Sequence, residues 1–416
     1  MTSKILKIII LLLFVSFFIA PTFLGLKIRP SNIFIILLAF WQLSFFRSSQ
    51  KIKVPFNSNY IFLITIFTFF TFINFDKFYF LKGVSACILL FICYLQYKIT
   101  YKLIYSNIPF YVETAIVFMI NIGFIYLSLV VIGLFLNAFG ISNNLVAPNW
   151  QSALNEETEV NPSIIGYHTL TAGYLSSIGV LLVGRILFYN ETNIMIGLFQ
   201  LSIYIVALIS SYSRGAWISF CIGSIILFFF YFRAKLFKFF FRKILLLLLL
   251  VIGIIVLIFY ASTNIQDIIS VQMLNLISTD QGTGYYRMSM WEQMLGDIID
   301  FPIWGRGGGA FLKFISYEGS PSENYFLEIF QSSGLFGLLA VILPIIIVIG
   351  KSLKLIFMHK KSFEPLLIMI FAANIGLLFP ILTTPGAWGG FYWFMFALWV
   401  SIVTHFESKL SKKNTK

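Results

Sequence analysis

The sequence predicts an all-α polytopic membrane protein with about twelve transmembrane helices and one large outer loop between the ninth and tenth spans. Three observations lead there. The 416 residues are 59% hydrophobic and 11% charged, with 49 phenylalanines, whereas a soluble domain carries about 25% charged residues. Lipid hides this much apolar surface and a soluble core does not. Apolar runs of spanning length recur along the whole chain, and mean hydropathy is +0.92. Finally, the basic residues collect on alternate connections.

The apolar runs cover residues 5–25, 32–46, 60–75, 80–97, 114–139 and 163–188, then 193–210, 216–232, 244–262, 326–350, 365–382 and 388–405. The shortest are near the lower limit of roughly 17 residues for a span. The first follows Lys4 and Lys7 and has no clear small-residue cleavage site, so it reads as an uncleaved helix rather than a signal peptide. There is no internal repeat or low-complexity linker, and residues 1–416 form a single membrane domain.

Charge gives the orientation. With the N-terminus inside, the inner connections hold Arg47, Lys51, Lys53, Lys98, Lys102, Arg185, the cluster from Arg233 to Lys243, and Lys351 to Lys361, and the tail adds Lys409 to Lys416. Of the 29 basic residues, Lys27, Arg29, Lys77, Lys82, Arg214, Arg287, Arg306 and Lys313 remain for the outer face. Both termini are therefore expected in the cytoplasm. The outer loop 140–162 is acidic, with Glu156, Glu157 and Glu159, and the loop 263–325 is the largest polar piece. A loop of that length is usually functional.

The net charge of +13 would suggest nucleic acid in a soluble protein. Here it lies in short connections, with no aromatic-interleaved basic patch long enough to track a phosphate backbone, so no nucleic-acid partner is expected. Cys87, Cys93 and Cys221 fall in apolar runs without CxxC spacing or histidine partners, which fits buried structural cysteine. No His/Asp/Glu cluster at ligand spacing occurs in the outer loops, so no metal site is expected.

Five places carry potential chemistry. The turn Ser210-Ser211-Tyr212-Ser213-Arg214-Gly215-Ala216-Trp217 joins spans seven and eight. Ser213 is a plausible N-cap, and the helix start that follows offers unpaired N–H groups and a positive dipole end beside Arg214. That combination suits a phosphate or diphosphate; the bland reading is a snorkelling arginine. In the large loop, Arg287 and Trp291 are four apart, on one face of an expected amphipathic helix; a surface cation–π pair is the alternative. The run Gly305 to Ala310 matches G-x-G-x-x-A with Arg306 inside it, but it lacks the βαβ context of a dinucleotide site. It reads as a turn whose backbone approaches a ligand.

Ser320-Pro321-Ser322-Glu323-Asn324-Tyr325 leads into span ten. Ser320 at N-cap, Pro321 at N1 and Glu323 at N3 would make a capping box. The functional alternative makes Glu323 a general base at the lipid–water boundary. His168 opens the outer half of span six, either as a satisfied helix histidine or as a substrate contact.

With these residues in place the chain resembles the O-antigen ligase and O-antigen polymerase family of bacterial membrane glycosyltransferases. The match is carried by Ser213-Arg214-Gly215-Ala216-Trp217 and by R-x3-W followed by P-x2-G-x-G at Arg287, Trp291, Pro302, Gly305 and Gly307. It is also carried by an acid or histidine, Asn, nine residues and G-x2-G at Glu323, Asn324, Gly334 and Gly337, and by the span architecture. The specific signal covers roughly residues 195–340. The resemblance implies a GT-C-like fold and transfer of glycan from an undecaprenyl-diphosphate-linked oligosaccharide on the outer face of the bacterial inner membrane, with no cofactor. Arg214, Arg287 and Glu323 would be catalytic. Ser213, Trp291, Asn324, Arg306 and His168 would contact substrate.

The expected partners are the glycan acceptor, the bilayer, and a chain-length regulator and flippase. Family ligases typically place histidine where Glu323 stands, which tilts the reading toward joining repeat units of O-antigen, capsule or exopolysaccharide. Ligation to lipid A core is the alternative. Transporters place ionisable or discontinuous elements at mid-membrane, and these spans are nearly free of charge, which argues against a flippase.

Overall fold

The computed structural model describes residues 2–18, 36–37, 52–73, 80–138, 141, 168–189, 194–211, 213–233, 283–308, 324–358, 364–383 and 390–414. The regular elements among them are helices. They are α1 (Thr2–Phe18), α2 (Asn57–Ile73), α3 (Phe80–Ile104), α4 (Ile108–Ala138), α5 (His168–Phe188), α6 (Ile194–Ser210), α7 (Arg214–Arg233), α8 (Thr283–Asp300), α9 (Tyr325–Met358), α10 (Pro365–Thr383) and α11 (Gly390–Asn414). By length and composition four stretches are apolar enough to cross a membrane: Gly83–Gly133, Gly215–Arg233, Tyr325–Met358 and Pro365–Leu382. Three shorter apolar helices accompany them, Asn57–Ile73, Ala172–Phe188 and Ile194–Ile209. The described residues are thus all-helical in their regular structure and form a multi-pass membrane architecture.

Two expected spans fall mostly or wholly outside the described residues: 32–46 is described only at 36–37, which are helical, and 244–262 lies outside them. The acidic loop 140–162 is described only at Ile141. One inner connection differs from expectation. Lys98 and Lys102 lie within α3 instead of a loop, and a single 3-10 turn, Tyr105–Asn107, separates α3 from α4. The polar residues there are few enough for the helices to run almost to the turn.

The centre of the bundle is α5, α7 and α10. The Ser176 and Ser219 hydroxyls bond at 2.8 Å near the starts of α5 and α7, and the Phe188 and Tyr231 rings lie 5.5 Å apart near their ends. These two helices therefore run parallel. α10 runs against them, with Gly376 meeting the Ser219 carbonyl and Phe371 packing on Phe230. Small side chains permit such close approach where lipid supplies no hydrophobic drive between helices. The end of α9 joins the end of α7, because Phe357 receives both the Phe230 ring and the Arg233 guanidinium, the latter 4.2 Å from the ring centre.

Those relations define two ends. One gathers Arg185, Arg233, and Lys351, which pairs with Glu407 at 2.8 Å. The opposite end holds the starts of α5, α7 and α9 and the end of α10, where Pro380 packs on Gly173. A tyrosine–tryptophan cluster of Tyr60, Tyr97 and Trp393 ties α2 and α3 to α11. Apolar side chains such as Phe135, Phe199, Ile225 and Phe229 are exposed around the bundle, as surfaces facing lipid require.

Candidate functional site

The turn between α6 and α7 is built as the sequence suggests. Ser213 stands immediately before α7, buried, and its carbonyl accepts the N–H groups of Ala216 and Trp217 at 3.1 Å. Its backbone N–H donates to the Ser211 hydroxyl. The Trp217 indole N–H and the Ser211 hydroxyl both donate to the Leu208 carbonyl, each at 2.7 Å. That carbonyl belongs to the last turn of α6, which has no partner within the helix. Trp217 thus staples the end of α6 to the first turn of α7 and fixes where α7 begins. Arg214 is the first residue of α7; its side chain lies outside what is described.

The amphipathic helix expected in the large loop is α8. It buries Met290, Met294 and Ile298 at four-residue spacing and exposes Leu295 and Ile299. Arg287 lies one turn before Met290 and Trp291 along α8; Trp291 is half-buried, and the Arg287 side chain is outside the described set.

After α8 the chain turns through Phe301–Gly308 and docks on a break in α9. Gly334 has φ 64° and ψ −166°, a conformation that essentially only glycine adopts. The break releases carbonyls that an unbroken helix would use. The loop supplies the missing donors: Arg306 N–H to Gln331 O and Gly307 N–H to Ser332 O, both at 2.8 Å. In return, the Leu335 N–H of the second half of α9 donates to the Pro302 carbonyl at 2.9 Å. Gly305, at φ 71°, comes so close that a Cβ there would lie 2.5 Å from the backbone nitrogens of Ser333 and Gly334. The loop is also held to α2, where the Gly308 N–H donates to the Thr71 hydroxyl at 2.7 Å. The P-x2-G-x-G and G-x2-G motifs are therefore two halves of one backbone joint.

This corrects the expectation for Gly305 to Ala310. The described part of that run, Gly305 to Gly308, approaches the protein's own α9 and α2 instead of a ligand, because the break in α9 needs its backbone groups. Arg306, expected to contact substrate, has its guanidinium engaged within the joint. It pairs with Asp297 at 2.9 Å and Asp300 at 3.4 Å and lies over the Phe301 ring.

A second correction concerns the start of span ten. α9 begins at Tyr325, and its cap is Asn324, not Ser320. The Asn324 side-chain oxygen accepts the N–H groups of Phe326 and Leu327 at 3.1 and 3.2 Å, and its carbonyl accepts that of Glu328. Buried asparagine wins because one side-chain oxygen reaches two orphan donors. Glu323 is then one residue outside the cap, not at N3. Ser320, Pro321 and Glu323 themselves lie outside the described residues. His168 is the first residue of α5, with its side chain outside the described set.

Three residues escaped the sequence reading. Glu328 is fully buried in the first turn of α9, an ionisable group inside a span and an exception to the near-absence of charge there. Asp297 and Gln331 bond at 2.9 Å across 34 residues of sequence, and no local pattern joins them.

No curated protein matches the chain. A family model described as O-antigen ligase matches residues 199–342, which contain the Ser213–Trp217 turn, α8, the glycine loop and the break in α9. Over residues 199–342 the chain is therefore similar to the O-antigen ligase family.

Proposed function

We propose that this protein polymerises glycan repeat units carried on undecaprenyl diphosphate, at the outer face of the bacterial inner membrane. The observation that carries the reading is positional: the starts of α7 and α9 share one end of the bundle, opposite the end with Arg185, Arg233 and Lys351. The positive-inside rule assigns the basic end to the cytoplasm and so the motif end to the outer face.

In this reading the diphosphate of the donor sits at the start of α7. Arg214 supplies charge, and the first-turn N–H groups that the helix does not use supply directed donors. Ser213 ends the turn that exposes them. Arg287, presented by α8 with Trp291 behind it, holds the second phosphate. Glu323, two residues before α9 in the sequence, takes the proton of the acceptor sugar hydroxyl as that oxygen bonds to the donor's anomeric carbon. The bond from that carbon to the diphosphate oxygen breaks, and undecaprenyl diphosphate leaves. Asn324, one residue after Glu323 in the sequence, fixes the start of α9, and His168 contacts the acceptor.

The acid at position 323 favours polymerase over ligase, since family ligases place histidine there. Purified protein in proteoliposomes with lipid-linked repeat units tests this. The expected product is a ladder of lengthened glycan still attached to undecaprenyl diphosphate. Transfer only to a different acceptor would replace polymerase with ligase, and no transfer in either format would remove the reading.

A further inference from the structure

We infer that Asp297 is a positioning residue: it clamps α8, the helix that includes Arg287, to the first half of the broken helix α9, so the two elements that flank the proposed transfer site are held at a fixed separation. This rests on the proposed transfer for its catalytic meaning, but the clamp is geometric in origin. Asp297 is near the end of α8, with its side chain 13% exposed. One carboxylate oxygen pairs with the Arg306 guanidinium at 2.9 Å, and the other accepts the Gln331 side-chain N–H at 2.9 Å. The Arg306 backbone N–H reaches the Gln331 carbonyl at 2.8 Å, which closes the triangle. One carboxylate thus joins α8, the glycine loop and the first half of α9, each through a different partner.

The strength follows from burial and charge. Asp297 is mostly shielded and Gln331 is buried, so the bonds are charge-assisted and little screened. Asp300 also touches Arg306, at 3.4 Å, but its side chain is 64% exposed, and an exposed partner contributes little. The backbone bonds at Gly307 and Leu335 hold the loop to α9, and Asp297 adds a polar link from α8 to both the loop and Gln331 of α9. A displacement of about 1 Å in a reacting group costs on the order of a hundredfold in rate, so a clamp between the two catalytic elements bears directly on turnover.

The test uses the full-length protein in proteoliposomes. Asp297→Asn keeps the shape and loses the charge. Asp297→Asn with Gln331→Glu returns a carboxylate to the same triangle, with the hydrogen bond reversed. Spin labels at Glu292 on α8 and Leu335 after the break, both exposed, report the separation of the helices in a background with the three native cysteines replaced. The expected result is a broadened distance distribution and roughly ten- to hundredfold lower kcat in Asp297→Asn, with the KM for lipid-linked donor little changed. The double variant should recover both. A wild-type distribution in Asp297→Asn, or a double variant as broad as the single one, overturns the clamp. If wild-type protein performs no transfer, the proposed function fails, while the distance measurement still decides the clamp.

Discussion

The backbone N–H of Arg306 donates to the carbonyl of Gln331 at 2.8 Å, closing a helix that Gly334 has broken three residues later. Two motifs far apart in sequence meet at this bond. The glycine loop between α8 and α9 replaces the hydrogen bonds that the break removes, and it fixes how the start of α9 stands beside α8. Breaks of this kind within a membrane are tolerated where protein re-satisfies the freed backbone groups.

Gly334→Ala should be the most damaging substitution in the joint. Alanine is strained in this φ/ψ region by about 1–3 kcal/mol, and its methyl would strike the Ile303 backbone. Gly305→Ala meets the same problem from the loop side. Both variants should show a lowered thermal midpoint in detergent and little glycan transfer, measured at matched expression. A midpoint and activity equal to wild type in Gly334→Ala would mean that the break is not a fixed feature.

In the proposed reading Arg214 and Arg287 hold the donor diphosphate. Removing one charge-assisted contact should cost about 1.5–3 kcal/mol of transition-state stabilisation. Lysine keeps the charge but not the planar fork and should rescue poorly. Gel analysis of polymer from Arg214→Ala, Arg287→Ala and the lysine variants checks this. Polymer of normal length and amount in both alanine variants would remove the arginines from the site.

The orientation is testable with impermeant thiol reagents. In intact spheroplasts, Asp280→Cys in the large loop should label and Lys409→Cys in the tail should not. The reverse pattern would place the motif end of the bundle in the cytoplasm.

Some of this was legible in the sequence because the determinants are local. Arg287 and Trp291, four apart, point to an amphipathic helix, and α8 buries Met290, Met294 and Ile298 at the same spacing. Ser213 precedes α7 as a small polar residue ahead of an apolar run should. Other parts were not legible because they depend on distant partners. The run from Ser320 to Glu323 has the composition of a capping box, and nothing in it reveals that Asn324 bonds two amides further on. Gly305 and Gly307 announce close backbone approach, but only the fold shows that the approaching surface is α9 and α2. Asp297 is silent in sequence because its partners, Arg306 and Gln331, become neighbours only after Gly334 turns the helix.

Glu323, one residue before the cap of α9 in the sequence, is the proposed base of the glycan transfer. Glu323→Gln keeps size and hydrogen bonding but cannot accept a proton. Asn324, not Glu323, caps α9, so the variant should fold and express as wild type does. The decisive measurement is the single-turnover rate of transfer from lipid-linked donor by purified Glu323→Gln protein. The expected result is a loss of roughly 10²–10⁴-fold with the thermal midpoint unchanged, and partial recovery in Glu323→His, since histidine also accepts a proton. A wild-type rate in Glu323→Gln would contradict it and send the search for the base to His168 or Glu328.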